Sequence, residues 1–228
     1  MTMQHEARKP LILGLVHTVP LLVDVFTTLT NELLPGVRLL HIVDQPLLLR
    51  VSGRGCAVAE DVQRLETHIR ALADVGATVV LVTCSTLSPY VDRLAVSVPV
   101  PVLRIDKGMI THAVAEGCRI GLVATIESAL TSMRAMLIDE AERVGKTIMV
   151  EPLLVDGGLA ALMAGDSARH DLLVKQAILR VGDQVDVIVL AQASMDRVLA
   201  TLPNGYPKAK VLSSPRLALA EAGRLLGK

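Results

Sequence analysis

Val79-Val80-Leu81-Val82-Thr83-Cys84-Ser85-Thr86 is an aliphatic run that stops abruptly in hydroxyls and a thiol. A short apolar run bounded in this way reads as a strand buried on both faces, as parallel sheets require. It has a counterpart in Val187-Ile188-Val189-Leu190-Ala191-Gln192-Ala193-Ser194. Each is preceded by another apolar run ending in Thr. Leu15-Val16-His17-Thr18 ends 66 residues before Cys84, and Leu122-Val123-Ala124-Thr125 ends 67 residues before Gln192. Repetition on this scale implies two similar lobes whose strand ends converge on a cleft. Only one copy carries a thiol.

Outward from these runs, short aliphatic segments alternate with longer amphipathic ones, the pattern of βαβ units. It predicts strands near 11–16, 37–43, 78–82, 102–105, 119–123, 148–154, 186–190 and 210–212. Helices are expected near 20–33, 57–75, 87–95, 107–115, 128–144, 168–181, 194–201 and 215–226, with Gly76, Gly117, Gly145 and Gly182 at their C-terminal stops. The fold class is therefore α/β, with two lobes built on parallel four-stranded sheets flanked by helices. The first lobe is expected over 1–105 and the second over 106–205. The segment 206–228 ends in a helix with no strand after it, free to pack back and complete the first lobe. Two stretches resist the pattern and read as loops: 45–56, with Ser52-Gly53-Arg54-Gly55, and 156–167, with Gly157-Gly158 and Gly165-Asp166 around a short apolar turn.

Composition excludes several functions. Of the 228 residues, 51% are apolar, yet there is no Trp, one Phe and two Tyr, so stacking platforms for single-stranded nucleic acid are absent. Basic and acidic residues are equal at 23 each, leaving no net field to attract polyanions or membranes. No uninterrupted apolar run is long enough to span a bilayer, and His17 and Asp24 interrupt the run after Arg8-Lys9 that otherwise mimics a signal peptide. Three cysteines without a CxxC pair point to a reducing cytoplasm rather than a disulfide scaffold. No His/Cys/carboxylate cluster has metal-ligand spacing, and no GxGxxG follows the first strand.

Cys84 is the residue best suited to chemistry. It ends a strand where a helix is expected to begin, a position whose free N–H groups and helix dipole favour a thiolate that abstracts a proton, returns one, or adds to an electrophilic carbon. The alternative is a small apolar core residue. Ser85 and Thr86 offer hydroxyls beside backbone N–H groups, suited to a carboxylate or to capping the next helix. Thr125 ends the equivalent strand and has the same two options. Gln192 and Ser194 can orient a ligand, but an amide exchanges no proton at neutral pH. His17, at the end of the first strand, is either a proton relay or a hydrogen-bonded structural residue. Asp106 either orients a catalytic partner or caps a helix. Cys56 and Cys118 read as structural.

Thr83-Cys84-Ser85-Thr86, Val123-Ala124-Thr125, Arg104-Ile105-Asp106 and Leu190-Ala191-Gln192-Ala193-Ser194 resemble, in order and spacing over nearly the whole chain, the aspartate/glutamate racemase superfamily. Its members include amino-acid and hydantoin racemases, maleate isomerases and arylmalonate decarboxylases. The resemblance implies two pseudo-twofold-related lobes, an active site in the cleft between them, and neither metal nor organic cofactor. By this likeness Cys84 matches the first family Cys, Ser85 and Thr86 the pair that binds the carboxylate, and Thr125 the second-lobe anion-binding turn. With the strand-end positions, the catalytic candidates are Cys84 and His17, and the substrate-binding ones Thr18, Ser85, Thr86, Thr125, Gln192 and Ser194. The expected partner is a small carboxylate, handled by a cytoplasmic homo-oligomer. Family racemases place one Cys on each lobe, whereas Gln192 stands at the second position here. Three activities are compatible with that departure: an isomerase or racemase with one thiol, a decarboxylase of a malonate-like acid, and a non-catalytic acid-binding protein. The family's decarboxylases keep their sole Cys on the other lobe.

Overall fold

The computed structural model describes residues 10–228; residues 1–9, with His5 and the Arg8-Lys9 pair, lie outside the described residues. The elements run β1 (Ile12–His17), α1 (Leu22–Leu33), β2 (Arg38–Val43), α2 (Gln45–Arg54), α3 (Ala59–Asp74), β3 (Val79–Val82), α4 (Ser88–Leu94), β4 (Val102–Arg104) and α5 (Lys107–Glu116). They continue with β5 (Arg119–Ala124), α6 (Glu127–Arg143), β6 (Met149–Leu154), α7 (Gly158–Met163), α8 (Ser167–Val181), β7 (Val187–Leu190), a 3-10 helix (Ala193–Thr201), β8 (Lys210–Leu212) and α9 (Pro215–Leu225). Each segment read as a strand is one.

The strands form two parallel sheets of identical order, β2-β1-β3-β4 and β6-β5-β7-β8. The central strands β1, β3 and β7 are buried at every residue and β5 at all but its first, while edge strands β2 and β6 have no fully buried residue. Continuous aliphatic runs therefore occupy sheet centres, where both faces are covered. Register makes the repeat exact enough to use: Val16 pairs with Val82, and Val123 with Leu190. Two residues further on, Thr18 stands beside Cys84 and Thr125 beside Gln192.

The expected lobe boundaries need correction. β8 pairs with β7 in the second sheet, so that lobe extends beyond 205. Only α9 returns to the first lobe, where Ala218, Leu219 and Ala222 pack with Phe26, Leu13 and Leu81. The reciprocal exchange happens at α5, whose Met109, Ile110 and Ala113 enter the second lobe's core beside Ile120 and Leu122. Each sheet is thus completed by the helix that follows its last strand in the other lobe.

The two stretches read as loops also differ. Residues 45–56 form α2, because Asp44 caps its start by accepting from Leu47 N–H at 3.1 Å, Pro46 suits the first turn, and Gly55 ends it in the left-handed conformation. Arg50 and Arg54 on α2 pair with the buried Asp61 of α3, and Arg64 and His68 of α3 reach back to Asp44, so α2 is held from both ends. Within 156–167 lies the six-residue α7, opened by Gly157 at φ 73°. The segment expected as a helix near 194–201 is 3-10 in type.

Candidate active site

Cys84 follows β3, but α4 begins only at Ser88 and is seven residues long. That corrects the expected helix-dipole effect, because so short a helix has a weak dipole and the thiol is a full turn before it. What surrounds the sulfur is more specific: the Thr18 hydroxyl and the backbone N–H groups of Leu87 and Thr86. Burial drives the thiol above its ordinary value and outweighs these donors, and the neighbouring Asp106 charge adds to the rise. At rest Cys84 is a neutral thiol with thiolate-stabilising donors already in place.

The register-equivalent position in the second lobe repeats the arrangement with different chemistry. Gln192 Oε1 accepts from Thr125 N–H at 2.6 Å and from the Thr125 hydroxyl at 3.0 Å. Thr18–Cys84 and Thr125–Gln192 are the same strand-end clasp, one holding a thiol and the other an amide.

Thr18, Thr83, Cys84, Ser85, Thr86, Gln192 and Ser194 line one cavity between the lobes, together with Val19, Leu22, Leu48, Ile126 and Ala193. Its volume is about 30 Å³, and it opens to solvent. Thr86 Oγ1 also meets Ser128 Oγ of the second lobe at 3.5 Å.

Two residues singled out from sequence do not line the cavity. Thr125 stands one layer behind Gln192, its donors already used. His17 is fully buried: its Nδ1 lies 2.7 Å from Thr83 Oγ1, and its Nε2 3.0 Å from His41 Nδ1. Thr83 has one hydroxyl proton and gives it to Val16 O at 3.1 Å. His17 therefore donates through Nδ1 and accepts at Nε2 from His41. Burial, then the neighbouring His41, lowers its pKa to about 3. A neutral imidazole with both nitrogens occupied braces Thr83 and presents no proton to the cavity.

Asp106 does not act as the expected side-chain cap: no cap hydrogen bond forms at α5. Its carboxyl is fully buried, with neither oxygen in a well-formed hydrogen bond, and Arg104 Nε lies 3.1 Å away. Burial raises its pKa to about 6 despite Ser88 and Arg104. Cys56 and Cys118, read as structural, are exposed free thiols and pack no core.

Sequence reasoning missed the apolar wall. Leu48 comes from α2, the segment mistaken for a loop; its signal was the Leu47, Leu48, Val51 spacing between a capping Asp and a stopping Gly. Val19, Leu22, Ile126 and Ala193 lie within a few residues of the polar strand ends, a proximity that polar-residue searches pass over.

No group of three or more His, Cys, Asp or Glu among the described residues is arranged to hold a metal, and no helix there is long and apolar enough to cross a membrane.

This geometry has counterparts among solved structures. Glutamate racemase from Francisella tularensis subsp. tularensis SCHU S4, in complex with D-glutamate, superimposes with a TM-score of 0.72 at 14% identity, over 96% of this chain and 81% of that one. Aspartate racemase from Picrophilus torridus matches with a TM-score of 0.71 at 15% identity, over 96% and 95% of the two chains. Allantoin racemase from Klebsiella pneumoniae matches with a TM-score of 0.68 at 16% identity, over 95% and 89%. At such identities these likenesses establish the fold. No curated protein matches in sequence. The sequence profile of the Asp/Glu/hydantoin racemase family, by contrast, matches residues 24–222, nearly the whole chain. With Cys84, Thr125, Gln192 and most of both lobes inside that span, the chain belongs to the Asp/Glu/hydantoin racemase family.

Proposed function

We propose that the protein is a cofactor-independent isomerase that acts on a small carboxylic acid through Cys84. The observation that carries this reading is that Cys84 and Gln192, held at equivalent strand ends by Thr18 and Thr125, line one cavity between the lobes. The substrate carboxylate is held by the Ser85 and Thr86 hydroxyls with Ser194 opposite. Once the sulfur has given its proton to solvent, the Thr18 hydroxyl and the Thr86 and Leu87 amides stabilise the thiolate. The thiolate takes the proton from the carbon next to the carboxylate. The C–H electron pair moves into the carboxylate as an enediolate, which the same hydroxyls stabilise. A solvent proton then adds to the opposite face of the carbon, inverting it, and the sulfur's proton leaves to solvent. Alternatively the thiolate adds to an unsaturated carbon and is expelled after rotation. Gln192 orients the substrate, and His17 acts through Thr83 as a positioning residue.

A decarboxylase is the second reading, favoured by the neutral state of the buried thiol. Loss of CO₂ leaves an enediolate that needs one proton donor and no base on the opposite face, and a resting thiol supplies it. The test is a panel of small acids and malonates in deuterium oxide, following exchange and CO₂ together. Cys84→Ala should lower whichever activity appears by at least about 10²–10⁴-fold while ligand binding survives. Unchanged turnover would reduce the thiol to packing.

A further inference from the structure

The substrate class can be narrowed, on the reading just given, from what the cavity wall lacks. Among the residues lining it there is no Asp, Glu, Lys, Arg or His. A carboxylate can still be held, because hydroxyl and amide donors satisfy an anion. An ammonium cannot be treated the same way. It finds only neutral hydroxyl oxygens, which also serve the carboxylate and the thiol, and no counter-charge, and burying a cation on those terms carries a large desolvation penalty.

The amide of Gln192 sharpens this. A backbone N–H can only donate, so the Gln192 atom 2.6 Å from Thr125 N is the carbonyl oxygen. The Thr125 hydroxyl occupies the same oxygen. The end left over is Nε2, a donor with no hydrogen-bond partner among the described residues, on a side chain that lines the cavity. Rotation of the amide to offer an acceptor would leave the Thr125 N–H facing an NH₂ group.

We infer that Gln192 is a specificity residue, selecting a carboxylic acid whose substituent opposite Cys84 is an uncharged hydrogen-bond acceptor, as in an N-acyl amino acid, and rejecting the free α-amino acid. The remaining bulk of the substrate packs on Val19, Leu22, Leu48 and Ile126, a wholly apolar wall. An ammonium in that place meets two donor hydrogens and aliphatic carbon; a carbonyl oxygen completes the unused donor.

The experiment compares alanine with N-acetylalanine and leucine with N-acetylleucine. Binding is read by saturation-transfer NMR and α-proton exchange in deuterium oxide by loss of the α signal. The wild-type protein should bind and exchange the acetylated member of each pair at least tenfold better. Gln192→Glu keeps an oxygen for Thr125 but turns an acceptor towards the cavity, and should narrow or reverse the ranking. Equal or better handling of the free amino acids by wild-type protein overturns the inference and leaves the isomerase reading standing. Preferential binding of the acetylated acids without exchange or CO₂ release supports the inference and overturns the isomerase reading. Absence of both binding and exchange for all four overturns both.

Discussion

Cys84 and His17 show how burial alone assigns proton roles. With its pKa raised by burial, Cys84 keeps its proton through neutral pH, so the two chemical readings have opposite pH signatures. A thiolate base requires kcat/KM to rise with pH and to continue rising beyond the ordinary thiol value of 9.0. A thiol donor requires a plateau through neutrality and a fall in that same alkaline range; a pH–rate profile on any substrate found separates them. His17 makes a prediction about stability. Its folded pKa of about 3 lies below the ordinary 6.5, so the unfolded chain binds the proton first. Stability is complete above pH 6.5 and is lost as pH falls towards 3, by up to on the order of 4 kcal/mol. Asp106 opposes it. Raised from 3.8 to about 6, its contribution is complete below 3.8 and lost as pH rises through 6. Urea midpoints measured from pH 8 to 4 should therefore fall only modestly in wild-type protein, where the two contributions oppose, and rise in His17→Gln, which keeps the Asp106 contribution and still donates to Thr83. Asp106→Asn should raise the midpoint at pH 8 and leave it nearly unchanged at pH 4.

At the scale of elements, the site depends on two segments that looked like loops. α2 carries Leu48 into the cavity, and α7 supports the second clasp from behind. A Cβ added at Gly158 would lie 2.5 Å from Thr125 Cγ2 and 3.0 Å from Thr125 Cβ. Gly158→Ala should push Thr125 off Gln192, lowering kcat/KM tenfold or more, with a stability loss of about 1–3 kcal/mol from overpacking. Gly53 is the control. It sits inside α2 with open space around it and no positive φ, so Gly53→Ala should stabilise by about 0.5–1 kcal/mol in thermal unfolding without touching activity. The strands were legible because continuous burial on both faces demands unbroken aliphatic runs. α2 was not, because Ser52-Gly53-Arg54-Gly55 carries loop composition while the capping Asp44, Pro46 and Gly55 carry helix grammar, and the tethers to Asp61 and Asp44 decide in favour of the helix. α7 is shorter than any periodicity can register.

Across the whole molecule, the exchange of α5 and α9 makes each lobe depend on the other's chain. Leu219 is fully buried in the first lobe although it follows the second, and Gly223 sits so close to Leu34 that a Cβ would lie 2.6 Å from its Cδ2. Leu219→Ala should cost about 2–5 kcal/mol, and denaturant unfolding followed in both lobes should still show one coincident transition. Separate transitions would mean that the exchanged helices do not couple the lobes. The same cross-connection frames the cavity: with α9 on one lobe and α5 on the other, any change in the angle between the lobes must bend the chain near the junctions rather than free either half.

The sequence by itself determined the two-lobe parallel architecture, the equivalence of Thr18–Cys84 with Thr125–Gln192, and the presence of a thiol on one side only. These are local facts: aliphatic runs mark sheet centres, and repeated spacing marks repeated units. Tertiary structure decided which polar residues actually meet. His17 and Thr125 end strands just as Thr18 and Gln192 do, but side chains alternate across a strand, and what packs behind each one is contributed by distant chain. His41 and Thr83 enclose His17 and keep it neutral, Gln192 consumes the donors of Thr125, and α2 walls the cavity with Leu48. Hydrogen-bond partners and dielectric are properties of the packed molecule, so the chemistry of a polar residue at a strand end is set only when its neighbours from elsewhere in the chain are in place.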